Sequence, residues 1–244
     1  MSSREEELLA RLGPEVTTPT PTYPDRVKLQ GQYVDLLPLT PEHADELFQL
    51  AGKTEHEKTW DYLLEAPFDG DRAAFDAFIA DISVRTNMVF WVVVDKATGR
   101  VNGYLSYLRI EPLHQCIEIG NILFSHLLQR TRKSTEAVYL LLHHALDTLG
   151  YRRVEWKCNN LNKPSKSAAV RFGFTHEGIF RKHLIIKGRN RDTCWFSIID
   201  DDWPHRKAAL QAWLHPSNFD DNANQIHDLK HFHALHGHTV QPPP

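Results

Sequence analysis

Val138, Leu141, Leu142, Ala145 and Leu149 recur at i, i+3, i+4, i+7 and i+11, a single apolar stripe at helical period. The spacing predicts a helix that begins near Ser134 and stops at Gly150, where a left-handed cap suits glycine. Upstream, Cys116 to Phe124 reads as a strand, bounded by Glu111-Pro112 before it and polar residues after it. Val89 to Val94 is a nearly continuous apolar run and predicts a central strand; the turn Asp95 to Arg100 leads into a partner strand, Val101 to Ile110.

The same reading extends along the chain. Residues 1–25 hold a short helical turn, Glu5 to Leu12, and then a Thr/Pro-rich stretch that reads as an extended linker. Val27 to Leu37 is a first strand, ended by Pro38. Thr40 as N-cap and Pro41 at the first helical position open a helix with Ala44, Leu47, Phe48 and Ala51, ended by Gly52. Lys53 to Gly70 is irregular yet rich in large apolar residues, Trp60, Tyr62, Leu63, Leu64 and Phe68. It either packs on the core or walls a pocket. Asp71 caps a second helix carrying Phe75, Phe78, Ile79 and Ile82. Val154 to Cys158 is a strand, Asn162 to Phe172 a short helix, and Phe174 to Ile186 and Asp192 to Ile199 are the last strands. Residues 205–214 predict one more helix. From His215 the chain is polar and histidine-rich, and the default is a disordered or surface-draped tail. Cutting after Leu214 is therefore expected to leave stability nearly unchanged. Strands around one crossover helix, with a closing hairpin, make a mixed α/β sheet.

The candidate chemistry begins between the Cys116 strand and the helix, at Gln129-Arg130-Thr131-Arg132-Lys133-Ser134-Thr135. A turn there aims the free N–H groups of the helix's first turn outward, and those donors and the helix dipole favour an anion. Arg130, Arg132 and Lys133 add positive potential. The physical reading is a phosphate or pyrophosphate site.

That stretch resembles motif A of the GNAT acyl-CoA N-acyltransferases, a loop of the form Gln/Arg-x-x-Gly-x-Gly/Ala that binds the coenzyme A pyrophosphate. Gln129, Arg132 and Ser134 stand at the marked positions, so both glycines are replaced. Arginine or serine can still offer a backbone N–H where the local angles are ordinary. Downstream, Asn162-Lys163-Pro164-Ser165, Arg171 to Gly178 and Arg191 to Phe196 look like the RimJ/RimL-type branch, and the resemblance spans Arg26 to Pro204. It implies a GNAT-type fold: a mixed, largely antiparallel central sheet flanked by helices. That single domain, residues 26–204, would lie between an N-terminal extension (1–25) and a C-terminal helix with a His-rich tail (205–244). It implies acetyl-CoA as cosubstrate and transfer of an acyl group, in most cases acetyl, to a small-molecule amine, an amino acid or a protein N-terminus. A homodimer stays open.

Amide formation from a thioester needs a neutral amine, a polarised carbonyl, a tolerated thiolate and two substrates held in line. Glu118 is the candidate base. By alternation it shares a face with Gly120, Ile122 and Phe124, and a carboxylate among apolar neighbours becomes a better base near neutral pH. Gly120 leaves room for a substrate. The resemblance agrees, since a Glu at the corresponding place is often proposed as general base; the alternative is that Glu118 pairs with an arginine or a backbone group and only shapes the pocket. The carbonyl would be polarised by backbone N–H at Leu123 or Phe124, on the strand end that is splayed in GNAT enzymes. Ser165 would donate to the departing thiolate and Asn162 would hold the pantetheine arm; the plain alternative is that both cap a helix. Trp60 and Tyr62 would wall the acceptor pocket, as this region does in the family. Where many GNAT enzymes carry an acidic tyrosine, the chain reads Arg171-Phe172-Gly173-Phe174. The missing tyrosine and the altered loop keep a second reading open, a coenzyme A-binding sensor or scaffold with little turnover.

Composition narrows the rest. A net charge of −3 gives no global attraction to nucleic acid. No apolar run is long enough to span a membrane and no signal-peptide core is visible at the start, which leads to an expected cytoplasmic setting. Cys116, Cys158 and Cys194 lie far apart in strand-like runs and read as buried free thiols in a reducing compartment. In the tail His227, His231, His233, His236 and His238 have loose metal-ligand spacing, but neither cysteine nor clustered carboxylate completes a set, so no metal site is expected. His143 and His144 read as salt-bridged or packed histidines.

Overall fold

The computed structural model describes residues 3–238; Met1, Ser2 and residues 239–244, with the three closing prolines, lie outside the described residues. Eight strands form one sheet in the order β1-β2-β3-β4-β5-β6-β8-β7. They are β1 (Leu29–Gln30), β2 (Val34–Pro38), β3 (Val89–Asp95), β4 (Val101–Glu111), β5 (Cys116–Phe124), β6 (Arg153–Asn159), β7 (Thr175–Ile186) and β8 (Arg189–Ile199). Every pairing is antiparallel except β5 with β6. A parallel pair needs a crossover, and here it is the helix α4 (Arg132–His143), extended by a π-type turn over His144–Thr148. Its predicted stripe is buried: Val138, Leu141, Leu142 and Ala145 pack with Trp91 and Tyr107 on one face of the sheet. Gly150 closes the turn with φ +79.

The opposite face is covered by α2 (Ala44–Leu47), flanked by one-turn 3-10 and π segments, and α3 (Arg72–Val84). Leu47, Trp60, Phe75, Ile79 and Ile82 form that second core. Asp71 caps α3, accepting from Ala74 N at 3.0 Å. With helices on both faces, β3 must be apolar on both, which is why its alternation is lost.

Five expectations change. Helix α4 starts two residues earlier than its stripe indicates, because Thr131 is the cap and accepts from Ser134 N. The first strand is not continuous from Val27 to Leu37; it breaks at Gly31-Gln32-Tyr33. There the buried carboxylate of Glu136, on α4, accepts from the N–H groups of Gln32, Tyr33 and Val34 at 2.6–2.7 Å. The N-terminal stretch holds α1 (Ser3–Leu12), and the residues after it are pinned to the body: Gln115 and Thr18 exchange hydrogen bonds, and Tyr151 Oη donates to Thr22 O. Of the three free thiols, Cys158 and Cys194 are buried but Cys116 is only partly so.

The largest change is the tail. Helix α5 (Lys163–Arg171) follows β6; α6 (Trp203–Leu214) packs on α4, and the chain then returns through α7 (Leu229–Leu235), which packs on α6. Asn218 binds Trp213 O and both N and O of His227, Trp213 Nε1 donates to Gln225 Oε1, and Leu229 is 1% exposed. His233 is fully buried, 3.1 Å from Arg171 O, beside Gly173. Arg171 itself is partly buried, lies over the Trp213 ring and donates to Thr135 Oγ1, and burial pulls its pKa down to about 10. The rings of His227 and His231 stack at 4.4 Å, and among the described residues no three His, Cys, Asp or Glu side chains are grouped to hold a metal. No described helix is long and apolar enough to cross a membrane.

Truncation after Leu214 should therefore destabilise the protein. Loss of Leu229 burial alone is worth about 2 kcal/mol, or roughly 4–8 °C in melting temperature for a chain of this size; an unchanged melt would show the tail to be loosely held. The docking should also be acid-sensitive. Burial lowers the His233 pKa from its ordinary 6.5 to about 4. Between those values the unfolded chain binds a proton that the folded chain does not, so stability falls as pH drops from 6.5 to 4. Thermal melts across that range should show this loss in the full chain and a shallower one in the chain ending at Leu214.

Candidate active site

β5 pairs with β6 through only three residues, Cys116, Ile117 and Glu118 opposite Arg153, Val154 and Glu155. Beyond them β6 stays with β8 as far as Asn159↔Thr193, while β5 turns away. The cause is a bulge: Asn121 and Ile122 face the single residue Leu105 of β4, and Asn121 takes a left-handed φ of +48. Such an insertion bends the strand and raises its twist. Asn121 Nδ2 donates to Ser106 Oγ at 3.0 Å and fixes the bend. The parted strands leave a cleft lined by Glu118 to Ile122 from β5, Trp156 to Asn159 from β6, Asn162 and Ser165 at the start of α5, and Tyr62 to Leu64 from the loop before α3.

Glu118 is 3% exposed, but its surroundings are not apolar as alternation suggested. A second irregularity, in β4 between Leu108 and Glu111, puts Arg109 at φ +45 and its Nη1 2.8 Å from Glu118 Oε2. Lys157 Nζ lies 3.0 Å from the same oxygen. The charges continue along the sheet face. Lys157 meets Glu155 at 2.5 Å and lies over the Trp195 ring, Arg153 joins Glu155 to Glu177, and Glu177 accepts from Ser197. Burial acts to raise the Glu155 carboxyl, but hydrogen bonds from Lys157 and Arg153 outweigh it and hold the pKa below the ordinary value. For Glu177 the hydrogen bond from Arg153 dominates and lowers it. Both ion pairs of Glu118 use Oε2; a Cβ added at Gly120 would lie 3.5 Å from Oε1 and 2.8 Å from Leu108 Cδ2. Gly120 therefore keeps open the ground beside Oε1.

Across the cleft Asn162 caps α5, its Oδ1 accepting from Ser165 N at 3.1 Å. Ser165 Oγ accepts from Trp156 Nε1 at 3.0 Å, so its own proton serves as a donor. The neighbouring Cys158 thiol is pushed up to about 11 by burial, against a hydrogen bond from Ser165. So the capping role is present and the hydroxyl still faces the cleft.

The loop before α4 differs from its electrostatic reading. Lys133 is engaged by Asp95 at 2.5 Å, and the Arg132 guanidinium lies over the rings of Tyr33 and Phe219. Ser134 Oγ and Thr135 Oγ1 donate to Thr131 O, and Gln129 Nε2 donates to Phe124 O. What remains for an anion is the exposed Arg130, at φ +61, and the N–H groups of Arg132 and Lys133, which have no partner within the helix.

Trp60 does not wall the pocket. It is fully buried in the second core, donating to Ala51 O, while Tyr62 lines the cleft and donates to Leu161 O. Leu123 and Phe124 are likewise absent from the cleft lining; Leu123 faces the second core, and the bulge gives their place to Asn121 and Ile122. Arg109, Lys157 and Arg191 also line the site and were not anticipated. Lys157 carried a faint signal: Glu155 and Lys157 alternate with Val154, Trp156 and Cys158, an ionic face on an otherwise apolar strand.

The domain family described as Acetyltransferase (GNAT) domain matches residues 34–175. A solved GCN5-related N-acetyltransferase from Brucella melitensis is 44% identical, with 90% of this chain and 100% of that one covered and a TM-score of 0.87. A protein from Chromobacterium violaceum described as a probable acetyltransferase of the GNAT family is 37% identical, covering 78% of this chain and 96% of that one at TM-score 0.73. The microcin C7 self-immunity acetyltransferase MccE, solved with acetyl-CoA and AMP, is 22% identical over 69% of this chain and 93% of that one, at TM-score 0.62, and shows the fold alone. No curated protein matches.

Proposed function

The chain belongs to the GNAT acetyltransferase family, and we propose that it acetylates a primary amine in the cleft between β5 and β6, with Glu118 as general base and Ser165 at the departing thiolate. The observation that carries this reading is that the parted strands bring a carboxylate on one wall and a hydroxyl donor on the other into one cleft. Acetyl-CoA, the family's cosubstrate, supplies the acetyl group as a thioester. The residues present suit it. Past Glu118 and Glu155 the facing backbone edges of β5 and β6 have no partner across the gap, which suits an extended chain bearing amides. Asn162 Nδ2 is free to bind that chain, and Arg130 with the N–H groups of Arg132 and Lys133 would receive phosphate.

In the reaction the amine nitrogen bonds to the thioester carbon and the carbon–sulfur bond breaks. Glu118 takes the amine proton on Oε1, the oxygen without an ion pair, directly or through one water. Backbone N–H groups at the bulge, Asn121 and Ile122, polarise the carbonyl. Ser165 donates to the thiolate and replaces the missing tyrosine. The RimJ/RimL-like branch is favoured by the Asn162-Lys163-Pro164-Ser165 and Arg171 to Gly178 stretches, with residues 26–204 as the catalytic unit. Three free cysteines favour a cytoplasmic setting. The engagement of Arg132 and Lys133 side chains elsewhere is what supports the second reading, a coenzyme A binder without turnover.

Thiol release from acetyl-CoA with a panel of amines separates the two. Glu118→Gln should lower turnover roughly 10²–10⁴-fold and shift the acid limb of the pH–rate profile, while coenzyme A affinity by calorimetry stays nearly unchanged. Near-normal turnover with an unchanged profile would assign the base to another group. Ser165→Ala should lower turnover more than acceptor affinity. Coenzyme A should also raise the melting temperature by linkage. Arg130→Glu should weaken its binding more than Lys230→Glu on the tail does; equal effects would place the phosphates elsewhere.

A further inference from the structure

We infer that the acceptor is a small amine carrying a carboxylate and that Arg191 binds this carboxylate; the inference rests on the transferase reading of the same cleft. The ionic face beside Glu118 holds four cations, Arg109, Arg153, Lys157 and Arg191, and three carboxylates, Glu118, Glu155 and Glu177. Three of the cations meet a carboxylate within 3.0 Å. Arg191 meets none among the described residues. Its one side-chain hydrogen bond is Nε to Thr193 Oγ1 at 3.2 Å, and both Nη groups are without a partner there. Yet Arg191 lines the cleft, paired across the hairpin with Leu184, and is only partly exposed. Burial pulls its pKa down. A partly desolvated guanidinium without a counter-ion is costly, and its planar fork suits bidentate binding of an oxyanion.

The missing anion is not part of acetyl-CoA, whose thioester end is uncharged and whose phosphates belong at the start of α4. A single surplus charge matches a monoanion, and the attacking amine must itself be neutral, so the reacting acceptor contributes one negative charge. Two contacts tie the Lys53–Gly70 stretch to its neighbours at this cleft, Tyr62 Oη to Leu161 O and Lys187 Nζ to Trp60 O. Such ties favour a free small molecule over a continuing polypeptide.

The test compares L-amino acids, their carboxamides, the corresponding decarboxylated amines and a peptide beginning with Glu, by thiol release from acetyl-CoA. Carboxylate-bearing amines should lead, and loss of the carboxylate should lower kcat/KM roughly 10–100-fold, as for a charge-assisted hydrogen-bonded pair. Arg191→Gln should raise KM for amino acids by a similar factor, leave kcat and coenzyme A affinity nearly unchanged, and level the preference. Arg191→Lys should retain part of it, and serves where the Gln variant does not fold. Carboxamides or plain amines as good as amino acids, a peptide outrunning them all, or a preference that survives in Arg191→Gln would overturn the inference and leave the transferase standing. No transfer to any of them by the protein with acetyl-CoA bound would overturn both.

Discussion

The parting of β5 from β6 after three residue pairs is the constraint on which the site depends. A sheet that opens leaves backbone donors and acceptors without partners, which is unfavourable unless something else supplies them. The molecule pins both sides of the opening. β6 remains paired with β8 along its whole length, and β5 remains paired with β4, so neither strand can close the gap without breaking a ladder. The Asn121 bulge sets the bend, and Asn121 Nδ2 on Ser106 Oγ locks it. Helices α4 and α5, each following one of the parted strands, then begin at the open end, where their N-terminal N–H groups are useful.

Glu136 holds the arrangement from behind. Its carboxylate gathers three consecutive N–H groups of the β1–β2 turn, and Gly31 comes so close that an added Cβ would lie 2.7 Å from Glu136 Oε2. That bond fixes the register of the sheet's first edge against α4. At the neighbouring residue, Arg171 ties Thr135 in the first turn of α4 to Trp213 of α6, and His233 of the returning tail lies against Arg171 O. The start of α4 is thus held twice, at Thr135 and at Glu136, by charged groups bound to backbone, hydroxyl or ring partners. A shift of α4 would disturb the cleft and the tail together.

What could be read from the chain follows from which interactions are local. The α4 stripe, the cap at Asp71, the stop at Gly150 and the strand borders are set by residues within a turn or two of each other, and they were legible. The bulges at Arg109 and Asn121 were not, because period-two alternation carries no mark of one extra residue and neither position is glycine. The ion pair of Glu118 with Lys157 joins strands that meet only through a crossover of some thirty residues. The tail misled for a different reason. Its docking relies on few apolar residues, Leu229 above all, and on a buried histidine and an asparagine bound to backbone, so its hydrophobic pattern is thin although its burial is real.

The charges around Glu118 bear on how a carboxylate in such company could serve as a base. Arg109 and Lys157 both bind Oε2, and together they fix the rotation of the carboxyl plane. The oxygen left over, Oε1, is then held on the side of Gly120, where no side chain competes for the space. Positioning of this kind lowers the entropic barrier to proton transfer irrespective of intrinsic basicity. Arg109 reaches its place only from a left-handed backbone angle that non-glycine residues seldom adopt. Strain of this kind at a cleft residue persists only where the surrounding structure enforces it, and here the Arg109–Glu118 ion pair and the β4 ladder do so. The same bulge that strains Arg109 also places it in the cleft lining, where its charge acts on Arg191. The orientation of Glu118 and the cationic character of this side of the cleft are therefore two consequences of one extra residue in β4.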